Sequence, residues 1–243
     1  MLHRPVIFTV ALALLAGEAI TAAAAGEQAV RKRLEAMFEG EEITSVREAP
    51  VAGIFEVMLG ASLFYVSEDG RYALRGDLID LEERRNISDA RRADARKEVF
   101  AGIDPKDLVT FAPAPAARRA TLYVYTDVDC GYCRKLHDEV PTLNAAGIAV
   151  EYLAFPRAGV QSESYDKIAA VWCASDRREA MTAAKAGKPV DAPSCDNPVA
   201  AQFELGQAMG VSGTPAVYTK DGQQLGGYVP AERLIKMLDE GKI

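Results

Sequence analysis

The chain has 243 residues, 49% of them hydrophobic, and 35 acidic against 28 basic side chains give a formal net charge of −7. That length suits one ordinary domain plus a smaller one, with enough apolar residues for a real core. An acidic balance without a basic cluster excludes nucleic acid as an expected partner.

Residues 1–25 read as a secretory signal: His3 and Arg4 start it, residues 6–16 are apolar, and Ala23-Ala24-Ala25 offers an A-x-A cleavage site near Ala25. The rival is a membrane anchor, but the apolar run is short for a span and Glu18 interrupts its far end. No other stretch suits a span, so the expectation is an exported protein without stable membrane insertion, in a compartment where disulfides persist. Removing this segment takes away one basic residue, Arg4, and one acidic residue, Glu18, and leaves the formal charge unchanged.

Residues 27–38 carry Val30, Leu34, Met37 and Phe38 at helical spacing. Strand-like runs follow at 43–48, 53–59, 62–66 and 72–75, with Asp69-Gly70 as a hairpin turn. Residues 26–86 are therefore expected to form a small α+β module. Alone it buries a poor fraction of its surface. Pairing with a second copy through a sheet edge answers that, and folding alone or docking on the larger domain is the alternative. Residues 88–101 are dense in mixed charge, with Ser88 as a candidate cap, and suggest a solvated linker helix. Linker helix and hinge are assigned to 87–112, ending in the Ala/Pro run 112–116.

From residue 120 the pattern is strand, helix, strand, a long helical stretch, a strand hairpin and a last helix. Strands at 121–125 and 149–155 flank a helix at 130–144, a βαβ unit. Residues 162–186 and 198–209 read as helical, Asp221-Gly222 as a turn, and 230–240 as a terminal helix. Residues 113–243 are taken as the catalytic domain.

Of four cysteines, two lie in Cys130-Gly131-Tyr132-Cys133, between a strand and a helix. The first sulfur then sits at a helix N-terminus, where unpaired N–H groups and the helix dipole favour a thiolate. A thiolate is the nucleophile of thiol–disulfide exchange, and a second thiol three residues on can close the ring and release a trapped partner. Zinc would ask for a second C-x-x-C or a His pair; Cys173 and Cys195 are far apart, so no metal site is expected. His137 shares the Cys130 helix face. It either adds positive potential near the sulfur or is an ordinary solvated histidine.

The motif, Tyr125-Thr126-Asp127, Lys135-Leu136-His137, Phe155-Pro156-Arg157, Trp172-Cys173-Ala174, Ser194-Cys195-Asp196 and residues 210–216 together resemble the DsbC/DsbG family of periplasmic disulfide isomerases, within the thioredoxin-like proteins. The resemblance spans the mature chain and is strongest after residue 100. It implies a homodimer whose catalytic domain is a thioredoxin fold with a helical insertion. It implies Cys130 as the exposed nucleophile and Cys133 as the more buried resolving thiol. Thr214 and Pro215 would be a cis-proline loop that binds extended substrate by β-addition, and Gly131-Tyr132 would tune the potential towards an oxidising, easily reduced disulfide. Misfolded disulfide-containing exported proteins would be the clients, a DsbD-type inner-membrane reductase the electron donor, and no organic or metal cofactor would be needed. Asp129 and Arg134 depart from the family pattern and act oppositely on the Cys130 thiol. Cys173 and Cys195 read as a structural disulfide, since the compartment permits it, the count is even and Trp172 suggests burial; a second redox pair is the rival. Three other functions remain beside the isomerase: a DsbA-like oxidase, which would lack residues 26–86; a DsbG-like reductase of sulfenylated cysteines, which usually has Pro where this chain has Gly131; and a non-redox chaperone.

Overall fold

The computed structural model describes residues 26–37, 43–60 and 62–243. The expected signal segment and Phe38 lie outside the described residues. The described residues divide into two compact units, the first ending at Ile79 and the second running from Asp80 to Ile243.

In the first unit, helix α1 (26–35) accompanies a four-stranded antiparallel sheet in the order β1 (Ile43–Glu48), β2 (Ile54–Leu59), β3 (Ser62–Ser67), β4 (Ala73–Leu74). The helical spacing of Val30 and Leu34 sets both on one face, against Ile43, Val46, Phe55, Val57 and Val66. At the β3–β4 turn the Asp69 carboxylate accepts from Ser67 Oγ and the Arg71 N–H, and Gly70 takes φ +66°. Next to the short edge strand β4, Val51, Tyr72 and Leu74 stay exposed and border a cavity of about 400 Å³ with Ile54, Tyr65 and Leu78.

The chain then forms the short pair β5 (Ile79–Asp80) and β6 (Arg85–Asn86), and α2 (Ile87–Gly102) follows in the second unit. Asn86, not Ser88, caps α2, accepting from the Asp89 N–H, while Ser88 is buried. Nor is α2 solvated all round. Phe100 stacks on Tyr123 at 4.3 Å, Arg96 lies over the Tyr218 ring, and the Ala93 carbonyl oxygen is 2.0 Å from where a Cβ on Gly222 would stand. Gly222, at φ +81°, thus serves both its turn and the passage of α2. The helix is docked on the catalytic sheet through the few apolar positions that its sequence shows.

That sheet has five strands in the order β11 (Gln224–Gly226), β10 (Ala216–Thr219), β8 (Ala120–Thr126), β9 (Ile148–Ala154), β7 (Val109–Phe111). β8 and β9 are parallel; the other pairings are antiparallel. The hinge expected up to residue 112 is corrected here: Val109–Phe111 pairs with β9 as an edge strand, because three residues carry too little alternation to announce a strand beside a Pro-rich run. The first crossover helix is broken into α3 (Gly131–Asp138) and α4 (Val140–Ala145), since Pro141 has no N–H for the carbonyl a turn earlier. The long helical stretch is α5 (Glu163–Cys173), capped by Ser162, and α6 (Arg177–Lys185), capped by Asp176. α7 (Val199–Ala208) and α8 (Ala231–Asp239) complete the fold. Leu122, Val124, Val150, Tyr152, Ile168 and Trp172 lie within one core cluster of this unit.

Candidate active site

β8 ends in Thr126 and hands the chain to Asp127-Val128-Asp129-Cys130, which climbs to α3. Asp127, 1% exposed, organises that turn. Its carboxylate accepts from the N–H groups of Asp129 and Arg157, from Arg157 Nε and from Ser164 Oγ. Burial alone would push its carboxyl up, but those donors and the guanidinium outweigh it and hold it below the usual carboxylate range.

Cys130 is the N-cap of α3, and no side chain caps that helix start. Its thiol donates to the Thr214 carbonyl oxygen at 3.2 Å. Cys130 and Cys133 are free thiols, 3% and 1% exposed. The exposed nucleophile expected at Cys130 is thus corrected: the Thr214-Pro215 loop, joined by a cis peptide bond, lies over it. Burial acts to raise both thiols. At Cys130 it is overcome by the Thr214 side chain, by Cys133 and by the Arg157 charge, so that thiol is held below its ordinary value. At Cys133 burial wins and the thiol is pushed up, although Lys185, the Asp127 backbone, and the Thr126 and Thr214 hydroxyls oppose it. The two sulfurs are therefore unequal in the sense that exchange chemistry needs.

Asp129 accepts from Arg134 Nη2 at 3.3 Å and from Lys167 Nζ at 3.2 Å, so its charge is met by two cations at the surface. A Cβ on Gly131 would meet nothing within 4 Å. Tyr132 is 64% exposed and stacks on Tyr228 at 5.9 Å. Cys173 and Cys195 are bonded to each other, 22 residues apart in sequence. Cys195 is exposed and Cys173 half-buried; the burial suggested by Trp172 belongs to the indole, whose N–H donates to the Asp107 carbonyl.

Neither role weighed for His137 holds. The ring is 7% exposed, with Nδ1 at 3.1 Å from Tyr152 Oη and Nε2 at 3.1 Å from Thr182 Oγ1. Burial, then the Lys185 charge, pull its imidazole from 6.5 down to about 4. Between those values the unfolded chain takes up a proton that the folded chain refuses. Stability should fall as pH drops from about 6.5 towards about 4, by roughly 3 kcal/mol through this group. Urea melts at pH 7 and pH 4.5 check it; a His137→Gln variant should show a smaller pH difference.

Sequence reasoning missed Lys185. It is 4% exposed, and Nζ donates to Thr126 Oγ1 and to the Asp127 carbonyl oxygen. The available signal is its register: with Met181 and Ala184 buried, a residue four after Met181 also falls on the apolar face of α6.

A parallel β8–β9 pair crossing through α3, with a cis-proline turn leading into β10, is the thioredoxin arrangement, and an unequal dithiol at the helix start makes thiol–disulfide exchange its class. Residues 109–242 match the thioredoxin-like domain family, and residues 21–89 match the disulfide bond isomerase protein N-terminal domain. The chain is 35% identical over 218 residues to the thiol:disulfide interchange protein DsbC of Escherichia coli (strain K12), covering 90% of this chain and 89% of that one. To the Salmonella typhimurium DsbC it is 33% identical over 240 residues, covering 99% and 97%. The crystal structure of a disulfide interchange protein from Neisseria gonorrhoeae aligns with a TM-score of 0.51 at 27% identity, over 58% of this chain and 99% of that one. The protein belongs to the DsbC family of thiol:disulfide interchange proteins.

Proposed function

We propose that Cys130 and Cys133 of this disulfide isomerase are the dithiol that rearranges non-native disulfides in exported proteins. The supporting observation is the inequality of the two sulfurs: Cys130 at a helix N-terminus with its thiol held low, Cys133 deeper with its thiol pushed up. Cys130 thiolate attacks one sulfur of a wrong disulfide. An S–S bond forms to Cys130, the old bond breaks, and the second client sulfur leaves as a thiolate. That thiolate attacks elsewhere in the client, and a later client thiolate expels Cys130, with no net oxidation. When this stalls, Cys133 attacks Cys130, the client leaves reduced, and a DsbD-type inner-membrane reductase returns two electrons.

Thr214 and Pro215 bind the extended client by main-chain pairing, and Gly131 and Tyr132 form the rim that the client meets, with the Tyr132–Tyr228 pair as its aromatic contact. Cys173–Cys195 is structural. The chain works in the periplasm after cleavage near Ala25. It pairs as a homodimer through its N-terminal domain, for which the exposed Tyr72, Leu74 and Val51 beside edge strand β4 are the supporting feature. The domain assignments 26–86, 87–112 and 113–243 are kept in this reading, with β7 counted to the catalytic part.

Thiol trapping in cells should find Cys130 and Cys133 mostly reduced; a mostly oxidised pair would make the protein an oxidase. Deleting residues 26–79, which spares the Asn86 cap of α2, should give a monomer that still reduces insulin but isomerises at least roughly tenfold more slowly, because two sites no longer hold one client. Sedimentation of the full mature chain as a monomer would sink the dimer.

A further inference from the structure

Among the described residues, no carboxylate lies within ion-pair distance of Lys185, although its amine is buried beneath the dithiol. Its direct partners are a hydroxyl and a backbone carbonyl. A buried cation needs an opposite charge. The groups acting on Lys185 as anions are the Cys133 and Cys130 thiolates and Asp127. The Asp127 carboxylate is already taken up by Arg157, Ser164 and the Asp129 N–H. Thr126 links them: its hydroxyl accepts from Lys185 and acts to lower the Cys133 thiol.

We propose that Lys185, acting through the Thr126 hydroxyl, is the charge and proton partner of Cys133. The proposal rests on the reading of Cys133 as resolving thiol. In the mixed disulfide, the Cys133 S–H proton passes to Thr126 Oγ1, and the Thr126 proton passes to the Lys185 amine, leaving a thiolate paired with an ammonium. The thiolate attacks Cys130 Sγ. The Cys130–Cys133 bond forms, the Cys130–client bond breaks, and the client sulfur leaves with the electron pair and takes a proton from solvent. With the ring closed the ammonium has no thiolate beside it and returns its proton to solvent. Lys185 is a positioning residue here, since it reaches the sulfur through Thr126.

Burial pulls the Lys185 amine down to about 8, so both of its forms are accessible near neutral pH; the two thiolates and Asp127 oppose that shift and Arg134 adds to it. From β9 the Tyr152 ring lies 5.6 Å away, and from α3 His137 feels the Lys185 charge. β7 carries no titratable side chain, and the charged residues of α5, Glu163, Asp166 and Lys167, are exposed.

The test is the redox equilibrium with glutathione together with the rate at which Cys133 resolves a Cys130–glutathione mixed disulfide across pH. Lys185→Met removes the charge at similar length. A lost ammonium destabilises the thiolate of the reduced side, so the protein disulfide should become about tenfold more stable, about 30 mV in potential. Resolution should slow and its pH midpoint should move up, while attack by Cys130 changes less. Thr126→Val should slow resolution with Lys185 still present. An unchanged equilibrium and pH profile in Lys185→Met would overturn the proposal. Should that variant not fold, the Lys185 ε-carbon resonance of the unsubstituted protein decides: its titration should come at higher pH in the dithiol than in the disulfide form, and identical titrations would overturn it. Failure of the underlying reading looks different: Cys130→Ser would then keep exchanging glutathione.

Discussion

Cys130→Ser should bring the refolding of scrambled ribonuclease down to the uncatalysed rate, while Cys133→Ser should accumulate covalent complexes with clients on non-reducing gels. A serine hydroxyl is not ionised near neutral pH and cannot replace the sulfur. No other free thiol lies at a helix start among the described residues, because Cys133 is inside α3 and the other two cysteines are bonded to each other. In the Cys133→Ser protein, Cys130 keeps its helix N-terminus and Arg157, so attack proceeds. What is lost is the intramolecular thiolate that would expel the client, and complexes persist for as long as external thiols are slow to reach them. Refolding of scrambled ribonuclease by both variants at the unsubstituted rate would show that the motif has been misassigned.

The geometry behind that prediction was legible for a local reason. A strand running into C-x-x-C and then into a helix places a sulfur at unpaired N–H groups whatever the rest of the chain does. Strand pairing around it followed from the near-continuous apolar runs near 121–125 and 149–155 on either side of a helix, which the structure pairs in parallel as β8 and β9. The Thr214-Pro215 loop was legible only through family resemblance, since spacing says nothing about which loop meets Cys130.

What stayed hidden depends on partners distant in sequence. His137 and Lys185 look like ordinary polar residues on amphipathic helices until β8 and β9 bring Thr126 and Tyr152 to them. The docking of α2 depends on Phe100 and Arg96 finding Tyr123, Tyr218 and Gln224, more than twenty residues away and in one case 128. Two helix breaks were missed for a different reason. Pro141 and the cap at Asp176 are local signals, but each stands inside a pattern whose apolar periodicity continues across it.

Replacing both Cys173 and Cys195 with alanine should lower thermal stability without touching exchange at Cys130. The bond ties the end of α5 to the loop before α7 and closes a loop of 22 residues in sequence separation. In the chain-entropy account, removing such a constraint from the unfolded ensemble costs about 3 kcal/mol. For a unit of this size that is roughly 10 °C in melting temperature. The exchange rate should be spared because α3 and the Thr214-Pro215 loop are anchored by the sheet and by Asp127 instead. The two disulfides should also differ in how they yield to reductant. Cys130 is a good leaving group, since its thiol is held low, so the Cys130–Cys133 ring should open first. Cys195 is exposed, so access alone does not protect the second bond; resistance has to come from the closure entropy of the loop. Graded dithiothreitol followed by alkylation and mass spectrometry reads the order directly. Modification of Cys173 or Cys195 before Cys130 would make that pair redox-active and would leave the protein with two exchange sites rather than one.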